Sequence, residues 1–459
     1  MICVSKNKSN LKLQNLKING QSPLRGNVKI SGAKNSALVL LAASLLTEEE
    51  ITLTNMPKLS DIEMMKNILK SVGVKFSENI HDKNKLIINS KDLRNGALPF
   101  NLVNELRASF FCIGPLLTKL GKASLAFPGG CNIGERPINE HIKGLEKLGA
   151  SIIKKNGSVT AEINNKKKKL IGTTIKLECP SVGATETLIM AATLAEGKTI
   201  IKNAAREPEI QDLCEMLNKM GGKINGAGNS TVIIQGVEYL NGCHHKVIPD
   251  RIEAGTFLIA AAATLSSITV KPVIPEHLKS LLKKLEESGS NINVKKDSIT
   301  IRTEVINAVN IETSPYPGFP TDLQAPFTAL MTIAKGNSKI SETIFENRMS
   351  HIKKLNQMGA SITLNENTAF IKGVEKLSGS NLKGSDLRST AAIVIAALTA
   401  NDESFVGGLE HLDRGYENFE LKLNLLGANV TREYNSFFLN ETKESNESEI
   451  KTLDKFQAA

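Results

Sequence analysis

The sequence predicts an α/β fold built from one strand–helix unit used six times, and two periodic signals carry that prediction. The first is Leu-x-x-x-Gly closing an amphipathic stretch, at Leu69–Gly73, Leu145–Gly149, Leu217–Gly221, Leu285–Gly289, Leu355–Gly359 and Leu423–Gly427. Successive glycines are 76, 72, 68, 70 and 68 residues apart. A short β-prone run follows, such as Ala150–Ile153 or Ala360–Ile362, so each copy reads as a helix, a left-handed glycine cap and a strand. The second signal is an Ala/Leu/Ile-rich stretch upstream of each glycine. Its copies are Ala37–Leu46, Phe110–Leu117, Leu188–Leu194, Phe257–Leu265, Phe327–Ile333 and Ala391–Leu398. Solenoid repeats run to roughly 20–50 residues, so this longer period describes a duplicated subdomain. Six units in 459 residues divide into two lobes of three.

Within a unit the apolar helix has almost no polar face, as in Leu38–Ala43, and is expected to be enclosed on all sides. The second helix is half charged, as in His141–Leu148, and belongs against a sheet or solvent. Alternating runs such as Val232–Ile234 and Ser298–Ile301 supply strands.

Composition narrows the function. Hydrophobic residues make up 41% and charged residues 23%, which is enough apolar material for a real core. The longest apolar stretch, Ala37–Leu46, is far short of the ~20 residues that span a bilayer, so no membrane insertion is expected. Met1–Gln14 mixes Lys, Asn and Ser without an apolar centre and does not read as a secretory signal. Six cysteines without paired spacing suit reduced thiols and a cytoplasmic setting. The net charge of +10 accompanies only 4% aromatics, so stacking platforms for nucleic acid are scarce and small anionic substrates are favoured. Lys166–Lys169 reads as solvated surface. Cys243-His244-His245 lacks a second cluster to complete a metal site, so no metal is expected, and no nucleotide-binding glycine loop or other cofactor signature occurs.

The helix starts carry the chemistry. Before the apolar helices stand Lys34-Asn35, Arg107, Ser181-Val182-Gly183, Asp250-Arg251, Asp322 and Arg388; before the amphipathic ones stand Asp61, Arg136, Arg206-Glu207, Pro275-Glu276, Arg348 and Arg414. A cation at a helix start opposes the helix dipole, and a repeated fold that keeps doing so gains something in return. Helix N-termini bind anions through free N–H groups, and arginine adds a bidentate fork. Convergence of these ends would make a deep cationic cleft. The alternative is that each arginine pairs locally with an acid such as Glu135, Glu346 or Asp413.

Phe127–Pro137 holds three glycines and two prolines and reads as a tightly turned or mobile loop. It carries Cys131, with Arg136 five residues on. A cationic setting favours the thiolate, so Cys131 is a candidate proton donor or nucleophile. Cys112, in Phe110-Phe111-Cys112-Ile113, reads as core. Pro317–Asp322 delivers Asp322 to a helix start, either as a cap or as a carboxylate aimed at a substrate hydroxyl.

Ser31–Asn35, Leu106–Ser109, Pro128–Pro137, Ser181–Thr185, Asn203–Ile210, Pro249–Phe257, Phe319–Gln324, Phe345–Arg348, Asp386–Arg388 and His411–Tyr416 together resemble the peptidoglycan branch of the enolpyruvyl transferase family. The resemblance runs from about Leu16 to Val430. The cysteine loop separates this branch from its shikimate-pathway sister. It implies a two-lobed, inside-out α/β barrel of six βαβαββ-type repeats, three per lobe. Residues 34–248 would form the lobe with the Cys131 loop, and 249–435 the lobe with Asp322. Residues 1–33 would pack with the second lobe, and 436–459 form a tail.

The reaction implied is transfer of the enolpyruvyl group of phosphoenolpyruvate to the 3-hydroxyl of UDP-N-acetylglucosamine, without a cofactor. Cys131 would be the acid that protonates the methylene carbon and the group alkylated by fosfomycin. Asp322 would take the hydroxyl proton. Lys34, Arg136 and Arg414 match phosphate contacts, and Arg348 and Arg388 complete the enolpyruvyl pocket. Asn35, Arg107, Arg136, Pro137, Ile138, Asn139, Glu140, Ser181, Val182, Gly183, Asp322 and Ile344 fall where the nucleotide sugar is held. The competing readings are a shikimate-type transferase and a non-catalytic nucleotide-sugar or nucleic-acid binder.

Overall fold

The computed structural model describes residues 14–78, 82–127, 134, 137–155 and 157–434. Cys131 and Arg136, like the tail 436–459, lie outside them.

Among the described residues twelve principal helices alternate between enclosed and half-exposed. They are α1 (Lys34–Ala43), α2 (Ser60–Ser71), α3 (Ile113–Leu120), α4 (Asn139–Lys147), α5 (Val182–Thr193), α6 (Pro208–Lys219), α7 (Arg251–Ala263), α8 (Lys279–Glu287), α9 (Gln324–Met331), α10 (His351–Gln357), α11 (Leu387–Thr399) and α12 (Phe419–Leu425). The odd-numbered helices are the apolar ones. Burial covers Ile252–Ala263 in α7 and Leu387–Leu398 in α11 without a break, so no face of either meets water. In α8, by contrast, only Leu281, Leu282 and Leu285 are buried, one stripe of an amphipathic helix.

Each amphipathic helix ends before its repeated glycine. Gly73, Gly149, Gly221, Gly289, Gly359 and Gly427 all take positive φ, between 90° and 107°, where a Cβ is costly. A strand follows each one, for example Ala150–Lys155 and Ser361–Asn365.

Two of the apolar stretches depart from the expected single helix, and proline explains both. Pro115 and Pro326 each occupy the third position of an α-helix, where a missing N–H is tolerated. The chain before each winds as a 3₁₀ turn, Arg107–Cys112 and Thr321–Leu323. Arg107 and Asp322 therefore sit on tight turns ahead of α3 and α9. Cys112 is fully buried, as its apolar neighbours require.

The described strands form six sheets. Five are four-stranded and mixed: an antiparallel ladder of three with one parallel strand at its edge. The sixth, Lys122–Ala126, Ala150–Lys155 and Ser158–Ile163, is antiparallel with a lone parallel bridge between Ala97 and Ser124. The described strands form open sheets, and none closes into a barrel. Three pairings tie distant parts together. Gln14–Asn19 lies between Glu403–Gly407 and Asn429–Tyr434. Arg25–Lys29 runs parallel to Ser267–Lys271, and Cys243–Lys246 parallel to Ile51–Thr54.

Buried apolar residues fall into two clusters, one drawn from Ala37–Val247 and the other from Leu16–Ile30 with Ile252–Val430. The passages between them, near Ser31 and Asp250, carry the polar ties that shape the site. Lys167 and Lys169 pair with Glu196 and Glu238 at the surface, consistent with a solvated run. Buried His245 donates from Nε2 to Asp212 Oδ1 at 2.7 Å.

Candidate active site

Asp322 is not a helix cap. Its carboxylate receives Arg348 Nη2 on Oδ1 and Arg388 Nη2 on Oδ2, the latter at 2.8 Å. Arg348 comes from the loop before α10, and its Nη1 donates to Thr321 Oγ1 at 2.8 Å. Arg388 is the second residue of α11, whose cap Asp386 accepts from the Arg388 and Ser389 N–H groups. Both arginines are nearly buried, at 6% and 5% exposure. Burial alone would raise the Asp322 carboxyl, but the Arg388 and Arg348 guanidiniums override it and hold it far below the ordinary carboxylate range. Burial likewise works against the Arg388 charge, and Asp322 overcomes it.

A second charged group mirrors the first. Asp61, in the first turn of α2 and almost fully buried, accepts from Lys34 Nζ at 3.1 Å and Arg414 Nε at 2.7 Å. Lys34 opens α1, and Arg414 follows the one-turn helix Leu409–Leu412.

Asp250 joins the two groups. It caps α7 by accepting from the Ile252 and Glu253 N–H groups, and its other oxygen accepts from the Lys34 N–H at 3.1 Å. Asp250 also lies close enough to Arg388 to stabilise its charge. The result is two acid-centred groups, Lys34 and Arg414 on Asp61 and Arg348 and Arg388 on Asp322, with Asp250 between them. Arg414 does not pair locally with Asp413, which is taken by Arg432 instead.

Of the remaining expected residues, Arg107, Pro137–Glu140 and Ser181–Gly183 gather around α4 and α5. Arg107 opens its 3₁₀ turn, which packs on α1 and α5, and its charge reaches His141 of α4. Ser181 caps α5, its Oγ accepting from the Ala184 N–H at 3.3 Å, with Val182 and Gly183 in the first turn. A Cβ at Gly183 would stand 3.1 Å from the His141 ring, so α4 and α5 meet tightly there. Pro137 and Asn139 are exposed, Ile138 is buried, and Glu140 accepts from the Glu178 N–H at 2.8 Å. Asn35 is exposed beside Lys34, and Ile344 donates its N–H to Glu342 at 2.8 Å. Cys131 and Arg136 belong to the undescribed loop, whose Gly134 approaches Glu346 so closely that a Cβ would collide with it.

Three participants were passed over as site residues in the sequence: Asp61, Asp250 and Tyr416. The first two stand at helix starts, the position that marked the cations. Tyr416 gives no local sign of its contact with Arg388. Among the described residues no group of His, Cys, Asp and Glu is arranged to hold a metal.

A profile of the EPSP synthase family (3-phosphoshikimate 1-carboxyvinyltransferase) matches residues 18–423. The chain is 65% identical to the UDP-N-acetylglucosamine 1-carboxyvinyltransferase of Prochlorococcus marinus subsp. pastoris strain MED4, covering all of both chains. It is 67% identical to that of P. marinus strain MIT 9515 over 99% of each, and 53% to that of Synechococcus sp. strain CC9605 over 91% and 96%. The fold matches the enolpyruvyl transferase NikO of Streptomyces tendae with a TM-score of 0.82 at 22% identity, covering 92% of this chain and 99% of that one. An EPSP synthase of Acinetobacter baumannii follows at 0.71 and 17%, over 92% and 100%. At those identities the likeness speaks for the fold alone.

Proposed function

The chain belongs to the EPSP synthase family of enolpyruvyl transferases, and from that membership we propose its reaction: phosphoenolpyruvate and UDP-N-acetylglucosamine give the 3-enolpyruvyl ether and phosphate, a step of peptidoglycan synthesis. The observation that supports it is the pair of charged groups in which two acids organise four cations. A dianionic phosphate and a carboxylate need several fixed cations, and the acceptor hydroxyl needs a base among them.

In this reading the fold is two lobes of three repeats, 34–248 and 249–435, with residues 1–33 completing the second lobe. Lys34, Arg414 and Arg136 meet the phosphate. Arg348 and Arg388 meet the enolpyruvyl part. Asn35, Arg107, the segment 136–140, Ser181–Gly183 and Ile344 hold the nucleotide sugar.

The chemistry is addition followed by elimination. Cys131 gives a proton to the methylene carbon while the sugar oxygen attacks the neighbouring carbon and Asp322 takes its proton. The tetrahedral ketal then expels phosphate against Lys34 and Arg414 while its new methyl group returns a proton to the thiolate left at Cys131, which restores the double bond. A carboxylate gripped by two guanidiniums is a weak base, so the substrate's own anions have to draw Arg348 and Arg388 partly away. Substrate binding then raises the basicity of Asp322 at the moment it is needed. The cations have to close on the anions, so the cleft narrows when the nucleotide sugar binds.

Among the described residues no helix is long and apolar enough to cross a membrane, which suits an enzyme acting on soluble substrates in the cytoplasm. Phosphate release from phosphoenolpyruvate tests the proposal. Release with UDP-N-acetylglucosamine supports it; release with shikimate 3-phosphate alone selects the sister reaction, and release with neither leaves a binding protein.

A further inference from the structure

The hydrogen bonds of Tyr416 have one possible direction. Its phenol oxygen lies 3.0 Å from Arg388 Nη1 and 2.8 Å from Thr256 Oγ1. A guanidinium cannot accept, so the phenol oxygen accepts from Arg388. Thr256 gives its own hydrogen to the Ile252 carbonyl at 2.8 Å, so the phenol hydrogen points to Thr256. The relay runs Arg388 to Tyr416 to Thr256 to the α7 backbone. All three side chains are at most 5% exposed, so none can exchange its partner for water.

This relay commits one edge of the guanidinium. Nη1 goes to Tyr416 while Nη2 goes to Asp322. The ring also lies under the charge, 5.4 Å from its centroid to Arg388 Cζ. Without the hydroxyl, buried Nη1 has no acceptor, and turning onto Asp322 as a two-pronged fork satisfies it. That would deepen the grip on the carboxylate. Burial raises the Tyr416 phenol despite Arg388 beside it, so it stays a neutral hydrogen-bonding group.

We propose that Tyr416, oriented by Thr256, is a positioning residue for enolpyruvyl transfer: it restrains Arg388 to a single hydrogen bond with Asp322 and so keeps that carboxylate available as a base. The inference rests on the reading of Asp322 as the proton acceptor. It assigns Tyr416 no contact with substrate.

The test compares phosphate release and thermal midpoint in Tyr416→Phe, Thr256→Val, Arg388→Lys, Asp322→Asn, and the pairs Tyr416→Phe/Thr256→Val and Tyr416→Phe/Arg388→Lys. Tyr416→Phe should lower kcat roughly tenfold, the scale of one hydrogen bond to a charged group. KM for UDP-N-acetylglucosamine should stay within about twofold, because the lost bond acts on the chemical step and not on acceptor binding. Thr256→Val should share that loss, and the Tyr416/Thr256 pair should be no slower than Tyr416→Phe. In the Arg388→Lys background Tyr416→Phe should cost nothing more. If Tyr416→Phe fails to fold, Thr256→Val, nearly isosteric, reads the same relay. A wild-type kcat in Tyr416→Phe with a slow Asp322→Asn overturns this proposal alone. A full-rate Asp322→Asn overturns the proton-acceptor reading and this inference with it. An equal loss from Tyr416→Phe in the wild-type and Arg388→Lys backgrounds would also overturn it, by showing that Tyr416 acts independently of the guanidinium.

Discussion

Asp61 and Arg414 are 353 residues apart in the chain, and their Oδ1 and Nε atoms are 2.7 Å apart in space. Asp61 lies in the first turn of a helix packed in the first apolar cluster, and Arg414 lies between Leu412 and Tyr416 of the second. The same carboxylate holds Lys34. One acid therefore keeps two cations side by side and bridges the two cores.

Asp61→Asn should expose that arrangement. Removing one partner of a buried ion pair leaves uncompensated charge and costs about 3–5 kcal/mol. Lys34 then loses the carboxylate that holds it, so added inorganic phosphate should raise the melting temperature of the variant more than that of the wild type. Scanning fluorimetry across a phosphate series checks this, and equal shifts would contradict it.

The thiols should separate by reactivity. Burial pushes the Cys112, Cys179 and Cys243 thiols up and carries Cys214 to about 12, so little thiolate is present in any of them at neutral pH. Fosfomycin, or a simple alkylating agent, should therefore modify Cys131 ahead of these four. Peptide mapping by mass spectrometry after brief native labelling decides it; early adducts at Cys112 or Cys214 would count against the assignment.

The repeated glycines should not cost the same. At Gly359 φ is 90° and an added Cβ meets nothing within 4 Å, so Gly359→Ala pays only left-handed strain, about 1–2 kcal/mol. At Gly73 the Cβ would stand 2.1 Å from the Asp92 carbonyl oxygen, so Gly73→Ala should lose at least ~1 kcal/mol more. Urea unfolding of the two variants checks the ranking.

Acid should destabilise the fold through buried histidines. Burial, and next the Arg107 charge, bring His141 down to about 3, and burial brings His351 to about 4. Their ordinary value is 6.5, so below it the unfolded chain takes up protons that the folded chain refuses. The stability they contribute is present above pH 6.5 and lost as pH falls towards 4, by up to about 1.4 kcal/mol per pH unit for each group. His141→Gln should flatten the wild-type slope between pH 6.5 and 4.5 in urea titrations. A slope unchanged by the substitution would contradict this.

What the sequence revealed was local. Leu69–Gly73 and its copies encode a helix end within five residues, so all six positive-φ glycines and the strands after them were legible. Cations at helix starts were legible for the same reason. The partners of those cations were not. Arg348 looked towards Glu346 in sequence, yet it meets Asp322, and Arg414 passes over Asp413 to reach Asp61. Those choices depend on how sheets such as Gln14–Asn19 with Asn429–Tyr434 bring distant turns together. The 3₁₀ turns bearing Arg107 and Asp322 had a readable cause in Pro115 and Pro326, which the apolar pattern of the same stretches obscured.

The proton-acceptor role proposed for Asp322 bears the most weight and can be measured directly. Asp322→Asn is expected to form the enolpyruvyl ether of UDP-N-acetylglucosamine about 10²–10⁴-fold more slowly, followed by mass spectrometry of the nucleotide sugar. Its affinity for UDP-N-acetylglucosamine should stay within a few-fold of wild type. Product formation at the wild-type rate in Asp322→Asn would contradict the mechanism.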